Sequence, residues 1–222
     1  MAAGQIAENY RRIRDELPEH VTIVAAAKNR TPEEIAEVIE AGAAIIGENY
    51  VQEAEDAAGA LGHTAGRTEW HMIGHLQRNK VNRALPIFDV IQSLDSARLA
   101  RALDERAATV VRTLLEVNVA GEQSKHGVPP EGARGLLEDI APLQNVRVEG
   151  LMTMEPYFED AESARPYLQR TRELFEELAA LDLPNLEMRT LSMGMTNSYR
   201  VAVEEGANMV RIGTAIFGPR EG

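Results

Sequence analysis

Apolar residues along this chain keep two rhythms that alternate from end to end. Short runs of small and β-branched residues give way to longer stretches with an apolar residue every three or four positions. The first run, residues 21–28, reads Val-Thr-Ile-Val-Ala-Ala-Ala-Lys, bounded by Pro18 and by Asn29-Arg30-Thr31-Pro32. Its length and branching predict a strand buried on both faces. Before it, Ile6, Tyr10, Ile13 and Leu17 share one face of a helix over 5–17, stopped by Pro18. After it, Thr31-Pro32-Glu33-Glu34 supplies an N-cap, a proline at the first helical position and a capping-box glutamate. Ile35, Val38 and Ile39 form that helix's apolar face, and Gly42 ends it.

The same alternation continues. Strands are expected at 43–47, 69–74, 88–94, 113–119, 146–154, 188–193 and 209–217. Between them lie an Ala- and Glu-rich helix to about residue 60, a short helix over 77–85, and one carrying Leu99, Leu103 and Ala107. Further helices are expected over 131–140, 162–181 and 197–205, the longest with Tyr167, Leu168, Thr171, Leu174, Phe175, Leu178 and Leu181 on its core stripe. Strand–helix alternation implies parallel strands joined by right-handed crossovers. Eight such units close into an α/β (β/α)8 barrel, expected as a single domain over 1–222. A doubly wound open sheet is the other architecture, but no Gly-x-Gly-x-x-Gly follows a strand.

Composition narrows the function classes. Hydrophobic residues make up 44% and charged residues 26%, as in an ordinary globular protein. A formal net charge of −12 argues against general binding to nucleic acid or anionic membrane. With no cysteine, disulfides, thiolate metal sites and cysteine nucleophiles are excluded. The N-terminal residues lack the apolar core of a signal peptide, so a cytoplasmic location is expected.

In a barrel, function gathers at the C-terminal ends of the strands. The polar residues there are Lys28, Asn49, His71 with Gly74, Ser93, Asn118, Thr153, Ser192 with Gly194, and Arg211 with Gly213 and Thr214. Only three of the 23 basic side chains are lysines, and Lys28 closes the first strand. An amine there can lose its proton and react, which a guanidinium cannot. The plainer reading is a partly buried stem with its ammonium in water. The stretch 192–196, Ser-Met-Gly-Met-Thr, leads from strand seven into a helix, and Arg211-Ile-Gly-Thr214 lies on strand eight. Barrels often bind phosphate with these last two units, although Gly194 and Gly213 could serve turns alone and Ser192 could cap the helix. His71 and His75 straddle a strand end, without an acidic partner at ligand spacing, so no metal site is expected. A phosphate site and an amine at one mouth suggest pyridoxal 5'-phosphate; a lysine-dependent sugar-phosphate aldolase is the alternative.

The motifs Ala26-Ala27-Lys28, Gly47-Glu-Asn-Tyr-Val-Gln-Glu53, Trp70-His-Met-Ile-Gly-His-Leu-Gln-Arg-Asn-Lys80, Glu122-Gln-Ser-Lys-His-Gly127, Gly150-Leu-Met-Thr-Met154, Leu191-Ser-Met-Gly-Met195 and Val210-Arg-Ile-Gly-Thr-Ala-Ile-Phe-Gly218 stand in this order. Together they make the chain resemble the pyridoxal phosphate homeostasis proteins (the YggS/PROSC family) over almost its whole length. The resemblance implies a barrel like the N-terminal domain of alanine racemase (fold type III), with the cofactor as a Schiff base on Lys28. It implies that Asn49 borders the ring, that Ser192, Gly213 and Thr214 hold the phosphate with Thr196 beside them, and that Arg211 faces the pyridine nitrogen. Two departures stand out. Ala27 replaces the usual hydroxyl residue before the lysine, and Thr196-Asn197-Ser198-Tyr199-Arg200 replaces a usually acidic run.

A racemase needs a second acid–base group, supplied in alanine racemases by an added C-terminal domain and a dimer partner, whereas this sequence stops soon after Thr214. The expected function is therefore a monomeric cytoplasmic carrier that binds the cofactor, keeps its free level in check and hands it to apo-enzymes, without turnover. A racemase-like enzyme using His71 or Tyr50 as base is the alternative. Lys125, in the Ser124-Lys125-His126-Gly127 loop, is a candidate transient acceptor of the aldehyde during transfer.

Overall fold

A computed structural model describes residues 4–122 and 125–219. Ser124 and the residues after Pro219 lie outside the described residues. Helix α1 (Gln5–Glu16) precedes the barrel. Strand β1 (Thr22–Ala26), α2 (Pro32–Glu40), β2 (Ile45–Glu48), α3 (Val51–Leu61), β3 (Glu69–Met72) and α4 (Val81–Ala84) form its first part. Then come β4 (Val90–Leu94), α5 (Ala97–Arg106), β5 (Val111–Val117), α6 (Pro130–Ile140), β6 (Val146–Thr153) and α7 (Arg165–Ala179). Strand β7 (Leu186–Ser192), α8 (Tyr199–Glu204), β8 (Met209–Ile212) and α9 (Thr214–Phe217) complete it. The eight strands are parallel and close in sequence order, β8 pairing back onto β1 with Val24 opposite Arg211. The expected barrel is the one observed.

Local chemistry explains the elements. Thr31 caps α2 and Glu34 reaches back to the Thr31 N–H, so both halves of the capping box form, with Pro32 in the first turn. The outer faces of the strands and the inner faces of the helices merge into one large apolar layer that includes Ile13, Ile35, Ile46, Leu103, Leu115 and Leu168. Inside the barrel, Val24, Ile45 and Ile73 pack together on one side and Val90, Leu114 and Met152 on the other. Between them the interior is polar, with Gln92, Ser192, Glu116 and Arg211 all buried. Among the described residues, no helix is long and apolar enough to cross a membrane.

Several boundaries differ from the sequence expectation. The long strand expected over 209–217 breaks after Ile212: Ile216 and Phe217 donate back to the Gly213 carbonyl and wind residues 214–217 into α9. The helix expected over 77–85 is a 3-10 turn (Arg78–Lys80) followed by the single turn of α4. The helix expected from residue 197 begins at Tyr199. Apolar periodicity marks which face is buried; it does not mark where hydrogen bonding changes partner.

Among the described residues, Glu48, Glu116 and Glu155 are each buried with one carboxylate oxygen unpartnered. Glu48 ends β2 at 1% exposure, and its Oε2 has no hydrogen-bond partner. Burial pushes its carboxyl from 4.5 up to about 8, repulsion from Glu53 adds to this, and the Asn49 backbone N–H opposes it. The folded chain thus holds this proton more tightly than the unfolded chain. Stability from this group is full below about pH 4.5 and is lost as pH rises toward about 8, at up to about 1.4 kcal/mol per pH unit. Glu48→Gln should therefore raise the melting temperature more near pH 9 than near pH 5. An equal shift at both pH values would count against this assignment.

Candidate functional site

A cavity of about 510 Å³ opens at the C-terminal end of the barrel. It spans the ends of β1 to β3 and β6 to β8 and is lined by Lys28, Asn49, Thr196, Arg211, Gly213 and Thr214. Six of the seven expected site residues thus meet on one wall. The seventh, Ser192, sits deeper: it is fully buried and is not on the lining.

Lys28 stands just past β1, half-buried in a turn closed by the Arg30 N–H on the Ala27 carbonyl. Asn29 takes the left-handed conformation (φ 58°) that this turn needs and that asparagine tolerates. Ala27, where the family's hydroxyl residue would be, is fully buried in the outer apolar layer and not on the cavity wall. That departure does not reach the site. Asn49 is held close to Gly74, where a Cβ would lie 2.4 Å from the Asn49 carbonyl oxygen, so a side chain at 74 would displace the loop that presents Asn49.

Arg211 is the anchor of the floor. It donates to the Ser192 carbonyl (2.9 Å), the Ser192 hydroxyl (2.8 Å) and the Thr153 carbonyl (2.6 Å). A guanidinium has donors only, which sets the direction of everything below it. The Ser192 hydroxyl must donate onward to Gln92 Oε1 (2.8 Å), and the Gln92 amide nitrogen then donates to His71 Nδ1 (2.7 Å). His71 carries its proton on Nε2 and donates it to Glu69 (3.2 Å). Burial pushes His71 below the ordinary imidazole value, with the Glu69 hydrogen bond opposing, while that same bond holds Glu69 down at about 2. Burial also lowers Arg211, against the charges of Glu155 and Glu116.

The barrel interior therefore contains a directed file, Arg211–Ser192–Gln92–His71–Glu69. Sequence reading placed Ser93 at the end of strand four, whereas the residue that reaches the centre is Gln92, one position earlier. The alternation Val90, Gln92 along β4 carries that signal. His71, the alternative catalytic base, is sealed inside this file at 1% exposure, and Tyr50, the other, is 58% exposed and off the cavity wall.

The β7 loop carries a hydroxyl that its strand-end position does not flag. Ser198 is buried on the cavity wall, accepts from the Met195 N–H (3.0 Å) and donates to Glu155 through a short hydrogen bond. Thr196 accepts from the Ala215 N–H (3.2 Å), tying the β7 loop to α9. Gly194 (φ 91°) makes the turn between them, and a Cβ there would lie 2.5 Å from Ala202 Cβ. Asn197 donates to the Phe158 carbonyl (2.5 Å) and Tyr199 to Glu16 (2.6 Å), so the unusual run 196–200 fastens this loop to the neighbouring β6 loop and to α1. Lys125 stands at the rim, donating to the Met154 carbonyl (3.4 Å) and paired with Glu122 (2.9 Å).

Residues 2–221 match the family model described as alanine racemase, N-terminal domain. The pyridoxal phosphate homeostasis protein of Aquifex aeolicus is 44% identical over 202 residues, covering 90% of this chain and 87% of the relative. The chain belongs to this family. PipY of Synechococcus elongatus, solved with PLP bound, is 35% identical and superposes with a TM-score of 0.88, covering 96% of this chain and all of that one. Alanine racemase of Clostridium difficile shares the fold at 14% identity and a TM-score of 0.73; this chain spans 57% of it. The family's motifs map onto the cavity wall and onto the file beneath it. The Val210 to Gly218 motif supplies Arg211, Gly213 and Thr214; the Leu191 to Met195 motif supplies Ser192 and the turn at Gly194.

Proposed function

We propose that this cavity binds pyridoxal 5'-phosphate, with Lys28 as a reversible covalent tether, and that the chain carries the cofactor and limits its free level without turning over a substrate. The observation that carries the reading is a reversal of charge. The chain has a net charge of −12, yet Lys28, Arg30 and Arg211 stand on the cavity wall against a single carboxylate, Glu155. A local positive pocket in an acidic protein suits a small anion.

The fit extends to shape. Ile73, Met154, Tyr157 and Phe158 give apolar walls for an aromatic ring. Thr196 and Thr214 offer hydroxyls to a phosphate, and Gly213, where a Cβ would be 3.3 Å from the Ala26 carbonyl, keeps backbone accessible there. Ser192 acts one step removed, by fixing Arg211. When bound, the cofactor supplies an aldehyde that condenses with an amine. Lys28 provides that amine; Arg211 faces the ring without readily giving up a proton, which leaves the ring a weak electron acceptor. The relatives' names, homeostasis proteins and not enzymes, agree with carriage.

The test is retention and silence. The purified chain mixed with the cofactor should keep one equivalent through desalting, with visible absorbance. Loaded protein in deuterated water should exchange the α-proton of alanine no faster than free cofactor does. A colourless desalted protein would remove the binding reading, and accelerated exchange would replace carriage with racemase-like chemistry.

A further inference from the structure

The cofactor cavity uses the ends of β1 to β3 and β6 to β8; the β4–β5 side of the same mouth holds a separate cluster. His75, in the loop after β3, places Nδ1 3.1 Å from Asp95 Oδ2, just beyond β4. His126, in the loop between β5 and α6, stacks its ring on that of His75, centroids 3.9 Å apart and planes within 10°. One donor atom from each of the three residues lies within 4.8 Å of the others. None of the three lines the cavity. We infer that His75, Asp95 and His126 form a binding site for a divalent transition-metal cation such as Zn²⁺.

The donor set is the first argument. Two imidazoles and a carboxylate suit zinc and its neighbours, whereas magnesium and calcium prefer oxygen. Three protein ligands leave a fourth position open to water. Distance is the second. Donors around tetrahedral zinc lie roughly 3.4 Å apart, given metal–ligand bonds of about 2.0–2.2 Å. The His75–Asp95 pair is already that close. The third donor has at most about 1.4 Å to travel, and because imidazole lone pairs lie in the ring plane, the two exposed rings must also rotate out of their stack to aim at a common centre.

Availability is the third. His126 is exposed, and the contact of its ring is the stack on His75, which leaves its nitrogens open to a ligand. Along the sequence only His71 and His75 stand close together, and that spacing gives no expectation of a metal site. The fold separates those two, sending His71 into the barrel, and brings His126 to His75 from the far side of β4.

The full-length chain, stripped with chelator and then dialysed, would be titrated calorimetrically with Zn²⁺ and, separately, with Mg²⁺. One equivalent of Zn²⁺ is expected to bind and Mg²⁺ is not. His75→Ala and His126→Ala should each weaken Zn²⁺ binding by about tenfold or more, while a His20→Ala, His63→Ala double variant should leave it unchanged. Lys28→Ala should also leave it unchanged, which separates failure here from failure of the cofactor reading. Co²⁺ added to the unaltered chain should give ligand-field bands of a nitrogen-containing site, a readout independent of whether the variants fold. No binding at one equivalent, absent Co²⁺ bands, or Zn²⁺ binding that survives loss of both His75 and His126 would overturn the assignment.

Discussion

Lys28→Ala is expected to lose the cofactor on desalting while the protein stays folded. The side chain stands past the end of β1 on the cavity wall, half-buried, in a turn held by backbone contacts and by the left-handed Asn29. Truncating it removes the amine without opening the apolar layers, so stability should change by no more than about 1 kcal/mol. Affinity should fall by on the order of 100-fold or more, about 2.7 kcal/mol, because a covalent anchor is gone while the phosphate contacts remain. Lys28→Arg sharpens the reading. It keeps a cation at the wall but cannot make the bond, so it should bind weakly and release on desalting just as Lys28→Ala does. If either variant keeps one equivalent and its visible absorbance, the tether is not Lys28.

Much of this was legible before folding because the signals were local. A β-branched run marks a buried strand, a capping box marks the start of α2, and eight strand–helix units close a barrel whose strand ends converge. That convergence puts Lys28, Asn49, Arg211 and Thr214 at the mouth together with Ser93, Asn118 and Thr153, and the family resemblance separates the first four from the rest. What stayed hidden depends on distance along the chain. Ser192 reads as a phosphate ligand because it sits at a strand end, yet its neighbours Gln92 and Arg211 draw the hydroxyl into the barrel. Ser198 reads as a departure in a loop, yet Glu155, 43 positions away, draws it onto the cavity wall. His75 and His126 meet across a gap that no local spacing records. A sequence pattern reports which face a residue takes on its own element; the partner it finds there is decided by another element.

Arg211 joins the cavity to the barrel floor, so its loss should be felt in both. At 4% exposure it satisfies two carbonyls and the Ser192 hydroxyl, and its charge offsets Glu116 and Glu155. Arg211→Met keeps much of the volume but leaves those acceptors unpaired and two acids without their cation. Breaking a buried pair in this way costs about 3–5 kcal/mol, which in a chain of this size lowers the melting temperature by about 10 °C. The deficit should depend on pH in a set direction. Burial and Asp95 raise the Glu116 carboxyl to about 7, against the pull of Arg211. Near pH 5 Glu116 is neutral and loses little when Arg211 goes. Near pH 8 the wild type holds it ionised beside the guanidinium, and the variant must bury the charge alone or take up a proton. The gap between the melting curves should therefore widen from about pH 5 to about pH 8. Adding Glu116→Gln to Arg211→Met should recover about 1–3 kcal/mol at the higher pH, as expected for directly coupled sites, without restoring cofactor retention. A single variant as stable as the wild type, or a double variant no more stable than the single, would show that Arg211 does not neutralise the acids beneath the cavity.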